Sequence, residues 1–150
     1  MERSLVEAKS READAQAVRH VLTGVRSSTA AIKEREDANG LWIEVIPAEV
    51  RHCSFSMAFA DYGCYYLTFG HGAYFEDLSS EAFPPHHVAL AILDGRVEED
   101  VWFKRGRPLV VRGEIALSSG TVLSSKTGHS PLAMLGFGKK QRITYEAYPR

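Results

Sequence analysis

The segment SFSMAFADYGCYYLTF, residues 54–69, decides the class of fold. In its first half Phe55, Met57 and Phe59 fall on one side of an extended chain, and small residues fall on the other. A period of two is typical of a strand with one buried face. A turn sequence, Asp61-Tyr62-Gly63, then precedes a second apolar run. The segment therefore predicts an antiparallel hairpin formed by residues 54–60 and 64–69.

Further strands are predicted on both sides of this hairpin. Alternation of apolar and polar residues predicts strands at 41–46, 73–76, 97–103, 109–117 and 143–148, and a short one at 121–124. Pro84-Pro85 before an apolar run and Asp94-Gly95 after it predict a helix near residues 85–94. Residues 130–136 predict one isolated helical turn, with a serine cap and a proline at the first position.

The first 38 residues predict a helix or a helix pair. They are rich in alanine, contain no proline, and place four branched apolar residues on one stripe, namely Val18, Leu22, Val25 and Ile32. Asn39-Gly40 fits the end of a helix, because both residues tolerate the left-handed conformation found there.

The expected fold is α+β in a single domain, residues 1–150. A helical segment at 1–38 precedes a sheet-rich body at 41–150. The body is expected to hold a curved, mainly antiparallel sheet of about six to eight strands, with the helix near 85–94 packed on it.

The composition is that of an ordinary globular domain, with 45% hydrophobic and 25% charged residues. A pI near 6.6 leaves no overall charge footprint for nucleic acid or an anionic membrane. The first residues are charged and show no apolar core of a secretory signal, so a cytoplasmic location is expected. Cys53 and Cys64 are then expected to be reduced thiols rather than a disulfide.

Charge is sorted along the chain. Residues 41–100 carry ten acids and two bases, a net charge of −8, whereas residues 101–150 carry nine bases and two acids, a net charge of +7. The sorting predicts that cations of the C-terminal strands lie beside acidic strands, where opposite charges help to set register.

Candidate acid–base residues occur in the acidic block. His52, His71 and Glu76 are the residues expected to act if the protein is an enzyme, since a histidine titrates near working pH. His71 lies between two glycines, which also fits a plain turn with an exposed histidine. No spacing of a metal site and no cofactor motif is present, so neither a metal nor a cofactor is expected.

A basic segment, GFGKKQR at residues 136–142, is a candidate for binding phosphate or single-stranded nucleic acid. Its candidate ligand-binding residues are Lys139, Lys140 and Arg142. The segment lacks the Walker pattern and leads into a strand, which equally fits a solvated strand entry.

Tyr66 is a candidate binding residue of another kind, since it falls on the polar face of its predicted strand. An exposed tyrosine on a sheet is typical of protein interfaces. The first hypothesis is therefore a non-catalytic interaction domain: a homo-oligomer, or an inhibitor or adaptor that binds another protein. The alternatives are a small-molecule binder or hydrolase with a histidine and carboxylate pocket between helix and sheet, and a phosphate or nucleic-acid binder that uses the basic C-terminal strands, residues 104–112 and 136–142. Nucleic acid ranks last among these partners.

Overall fold

A computed structural model describes residues 2–60, 63–127 and 139–150 of the chain. Within them are two helices and nine strands, in the order α1 Glu2–Leu22, β1 Ala30–Asp37, β2 Gly40–Pro47, β3 Phe55–Phe59, β4 Cys64–Phe69, β5 Ala73–Ser79, α2 Pro85–Leu93, β6 Val97–Lys104, β7 Arg107–Ala116, β8 Val122–Thr127 and β9 Lys139–Thr144. Neither of these helices is long and apolar enough to cross a membrane.

The strands form two antiparallel sheets. Strands β1 to β5 make a five-stranded meander in chain order, and the second sheet has the order β8-β7-β6-β9. The predicted α+β class, the helix near 85–94 and the hairpin of β3 and β4 are confirmed. The strands divide over two sheets rather than one.

The core lies between the inner faces of the two sheets and beneath the helices. Alternate residues of β2, β3 and β4 face inward, among them Ile43, Met57 and Leu67. The sheets pack tightly at Gly113 of β7, where a Cβ atom would lie 2.5 Å from the ring of Phe69. The helices pack on each other, and α1 also reaches β2 and β3.

The helical prediction for residues 1–38 is wrong in its second half. Residues 30–37 form β1, which pairs with β2 along its whole length, ending at Asp37 opposite Gly40. Asn39-Gly40 does not end a helix: Ala38-Asn39 is the turn of this hairpin, and Gly40, with a φ of 139°, is the first residue of β2. Every residue of β1 after Ala30 is exposed, so the strand shows no apolar alternation. Ile32 is 40% exposed instead of docked on the sheet.

The closing strand also differs from the prediction. It is β9, Lys139–Thr144, rather than 143–148. The register is set by β6, whose acids lie beside the cations of β9. The chain after Thr144 leaves the ladder, and the Tyr148 N–H donates to the carbonyl of Leu93 at 2.7 Å. The turn residues 61–62 and the helical turn predicted at 130–136 lie outside the described residues.

Candidate functional site

The outer face of the five-stranded sheet carries aromatic side chains into solvent. The helices lie on the other side of this sheet with the core. We define the open face as the outward residues of β1 to β5: Lys33, Arg35, Trp42, Glu44, Ile46, Ser56, Tyr66, Thr68, Tyr74 and Glu76. Tyr66, Tyr74 and Ile46 keep 43%, 37% and 38% of their surface exposed. Tyr66 therefore lies where the sequence predicts it, on a solvent-facing sheet surface.

Trp42 lies on β2, near the β1 edge of the open face. The guanidinium of Arg35, directly opposite on β1, lies 4.7 Å from the centre of the indole ring. This is a cation–π contact, which orients the arginine over the ring. The indole Nε1 is buried and has no hydrogen-bond partner among the described residues. A depression of about 420 Å³ surrounds the ring, lined by Lys33, Glu34, Arg35, Trp42, Glu44 and Ser56.

Charge differs between the two edges of the open face. One row of cross-strand neighbours runs from Arg35 through Trp42 and Ala58 to Tyr66. After the bulge in β5, Glu76 continues that row at the far edge. We call the β1 side, which presents Lys33 and Arg35 beside Asp37, the cationic edge, and the β5 side, which presents Glu76, the acidic edge; aromatic rings lie between them.

The outer face of the four-stranded sheet has a different character. Lys140 Nζ lies 3.7 Å from Asp100 Oδ2, and Arg142 forms ion pairs with both Asp100 and Glu98. The prediction that C-terminal cations lie beside acidic strands is confirmed for Lys140 and Arg142. We call this surface the ion-paired face. Lys139, the third predicted ligand residue, has no ion pair within the described part of the chain.

A buried carboxylate joins the two sheets. Glu99 of β6 points inward and is 1% exposed. The backbone N–H of His71, in the turn between β4 and β5, donates to its oxygens at 3.1 and 3.2 Å. Nδ1 of the same histidine lies 3.2 Å from Oε1, and the Tyr145 hydroxyl donates to that oxygen. We call Glu99, His71 and Tyr145 the Glu99 cluster.

Gly70 makes room for the Glu99 cluster. A Cβ at this position would lie 2.0 Å from Oε1 of Glu99, and the residue has a left-handed φ of 58°. The distribution of charges along the sequence gives no sign of this packing, because Glu98-Glu99-Asp100 looks like a solvated acidic run. The signal that finds Glu99 is its parity: Val97, Glu99 and Val101 alternate on the buried side of β6.

The Glu99 carboxylate alters the acidity of its neighbours. Burial, and then the hydrogen bond to Glu99, raise the pKa of Tyr145 above its ordinary value. Burial, followed by the charge of Glu99, likewise raises the pKa of the Cys53 thiol. Cys53 is thus held as a neutral thiol, which is a poor nucleophile. Cys53 and Cys64 are both free, as predicted.

The predicted catalytic residues do not converge. His52 is buried, with Nδ1 3.2 Å from the carbonyl of Glu146 and its ring centre 4.9 Å from that of Tyr148, the two rings being tilted by 32°. His71 belongs to the Glu99 cluster, and Glu76 is exposed on β5. The three share no hydrogen bond or ring contact. The described residues also contain no group of three or more histidine, cysteine or acidic side chains placed to hold a metal ion.

His71 and Glu99 form the arrangement that orients an imidazole in many acid–base sites. Here the carboxylate is bound by three donors from the chain itself, and the ring lies edge-on to Phe103 at 5.9 Å. These contacts tie the β4–β5 turn to β6 and to the segment after β9. Comparison with protein-family models, curated proteins and solved structures gives no match to this chain.

Proposed function

We propose that the chain is a non-catalytic protein-interaction domain that self-associates through the open face. The observation that carries this proposal is the exposure of Tyr66 and Tyr74 on a sheet surface that no described element covers. Tyrosine supplies contact area at low entropic cost and is enriched at interfaces. A second copy of the chain is the partner that matches the charges of this face.

Two copies related by a twofold axis parallel to the strands can stack their open faces with opposite charges facing each other. Such an axis places β1 of one protomer over β5 of its partner, because it reverses the order of the strands. The cationic edge then meets the acidic edge twice, with Arg35 facing Glu76 at each end. The aromatic rings meet in the middle. Complementary potentials of this kind fix the orientation of a pair more than they add affinity.

The size of the open face sets the expected strength. Five strands spaced about 4.8 Å apart, with about five residues each at about 3.4 Å, give roughly 400 Å² per protomer. A standard stable interface buries about 800 Å² per partner. The dimer is therefore expected to be weak and to depend on concentration.

The alternatives have different support. An inhibitor or adaptor that binds another protein would use the same open face, and it becomes the preferred function if the chain stays monomeric. The hydrolase hypothesis has less support, since His52, His71 and Glu76 share no hydrogen bond or ring contact within the described part of the chain. We place the protein in the cytoplasm, a location supported by two free cysteines and tested by thiol titration of the denatured, unreduced protein.

Sedimentation velocity over a dilution series tests the proposal. The wild type should shift from monomer toward dimer as concentration rises, and Tyr66→Ala with Tyr74→Ala should abolish the shift. The matched control is Val50→Ala with Val122→Ala, which removes exposed apolar side chains outside the open face. Equal association of both variants would contradict the proposal. Thermal melts should show that the tyrosine variant stays folded, because neither side chain is in the core.

A further inference from the structure

The tip of the β6–β7 hairpin has an arginine in an unfavourable conformation. Lys104 pairs with Arg107, so the turn has only two residues, Arg105 and Gly106. Both have left-handed φ values, 52° and 75°. Such turns favour asparagine or aspartate before the glycine. A left-handed conformation is strained for arginine, and strain of this kind often accompanies function.

The tip also gathers cations without acidic partners. Lys104, Arg105 and Arg107 are exposed, and Lys139 enters the same end of the sheet opposite Phe103. None of these four residues has an ion pair with an acid in the described part of the chain. Lys140 and Arg142, farther along β9, are paired with Asp100 and Glu98. We call the four unpaired cations the basic end.

Aromatic side chains lie next to the basic end. Phe103 precedes Lys104 and contacts the ring of His71 at 5.9 Å. Trp102 lies on the opposite face of the strand, where the ammonium group of Lys140 is 5.4 Å from the ring centre. Both aromatic residues are partly exposed, and Phe103 also packs against the core. Cations interleaved with accessible rings are the elements that bind single strands, by phosphate contacts and base stacking.

We propose that the basic end, with Phe103 and Trp102, binds single-stranded nucleic acid. Its cations contact the phosphates, and its rings stack with bases. The chemistry favours a nucleic acid over an anionic membrane, because the tip Lys104-Arg105-Gly106-Arg107 has no apolar side chain to enter a bilayer. The site lies on the four-stranded sheet and does not depend on association through the open face.

Fluorescence anisotropy with labelled oligouridine and oligothymidine of equal length tests the proposal. The wild type should bind at least one oligonucleotide, and its affinity should fall as salt rises. The double variant K104Q/R107Q should bind roughly tenfold more weakly and show a shallower salt dependence. The control R26Q/R96Q removes the same charge from two exposed arginines remote from the hairpin and should bind like the wild type.

Arg105→Asn separates binding from folding. Asparagine suits the left-handed turn, so this variant should melt at a higher temperature yet bind more weakly than the wild type. A lower affinity in a protein of higher stability supports a binding role for Arg105. The proposal is overturned if neither oligonucleotide binds, or if K104Q/R107Q and R26Q/R96Q lose affinity equally. Tighter binding to phosphatidylserine vesicles than to either oligonucleotide would also overturn it.

Discussion

The two sheets use their polar groups differently. On the four-stranded sheet all three acids of β6 have partners within the chain: Glu98 and Asp100 pair with cations of β9, and Glu99 is bound by the His71 turn and Tyr145. On the open face of the five-stranded sheet, Tyr66 and Tyr74 extend into solvent. Arg35 contacts Trp42 there rather than an acid.

This difference separates stability from association. Groups whose partners are in the same chain contribute to the free energy of folding, and their removal should be seen in unfolding experiments. Groups that face solvent are free to contribute to binding. Substitutions in the four-stranded sheet should therefore alter stability, and substitutions on the open face should alter association with little effect on stability.

The largest loss of stability is expected for Glu99→Ala. The substitution leaves the His71 N–H and the Tyr145 hydroxyl without their acceptor in a buried site. Removal of one partner from a buried charged network costs about 3–5 kcal/mol. Urea unfolding measures this free energy. Glu98→Ala, one residue away on the exposed side of β6, is the control and should cost much less; equal costs would show that the two faces do not differ.

Gly70→Ala should have the next largest effect. The new Cβ would overlap Glu99 and would also sit at a left-handed φ of 58°. Overpacking and backbone strain each cost about 1–3 kcal/mol. Gly72→Ala is the matched control, because Gly72 also has a positive φ, 115°, but has open space around it. If both variants lose the same free energy of unfolding in urea, contact with Glu99 does not explain why glycine is needed at position 70.

The Glu99 cluster should make the fold sensitive to alkali. The raised pKa of Tyr145 means that the folded state keeps a proton that the unfolded state releases. Its contribution to stability is complete below the ordinary tyrosine pKa, about 10, and is lost as the pH rises above that value. Tyr65, Tyr148 and Cys53 have raised pKa values for the same main reason, burial, and act in the same direction.

The variant Tyr145→Phe isolates the contribution of Tyr145 to the loss of stability at alkaline pH. Above about pH 10 the free energy of unfolding of the variant should fall less steeply, by up to about 1.4 kcal/mol per pH unit. Urea titrations across the alkaline range measure the two slopes. Identical slopes would show that Tyr145 is not held protonated by its buried site.

The smallest effect is expected for Arg142→Ala on the ion-paired face. Arg142 pairs with Glu98 and Asp100 at the surface, where water and salt screen the attraction. Any loss of stability in urea unfolding should be slight at low salt and should vanish at high salt. A large loss that persists in high salt would place Arg142 among the groups that hold the fold.

Alternation along the chain predicted most of the strands, because one face of each meets the core. It failed for β1, whose two faces are exposed and which is followed by Asn39-Gly40, a dipeptide that equally fits a helix end. It also misplaced β9, because Tyr145 and Tyr148 continue an alternating pattern after the ladder has ended. Their side chains lie in the core. The Tyr145 hydroxyl donates a hydrogen bond to Glu99, and the Tyr148 hydroxyl donates one to the carbonyl of Cys53.

The candidate site was predictable only where exposure follows from local sequence. Tyr66 on its open face is such a residue. The Glu99 cluster unites a turn after β4, the middle of β6 and the segment after β9, which are far apart in the chain. No local sequence pattern predicts that these three segments pack together. The cations of the basic end were visible in the sequence as the basic residues 104–112 and 136–142, but the sequence did not show that Lys140 has an acidic partner among the described residues and that its neighbour Lys139 has none.

Self-association through the open face is most directly tested by exchanging charges between its edges. Sedimentation equilibrium should show a concentration-dependent dimer for the wild type and weaker association for R35E and for E76R. The double variant R35E/E76R restores opposite charges across the proposed contact and should regain association. A wild type that is monomeric at every concentration, or a double variant that associates no better than the single ones, would contradict this account.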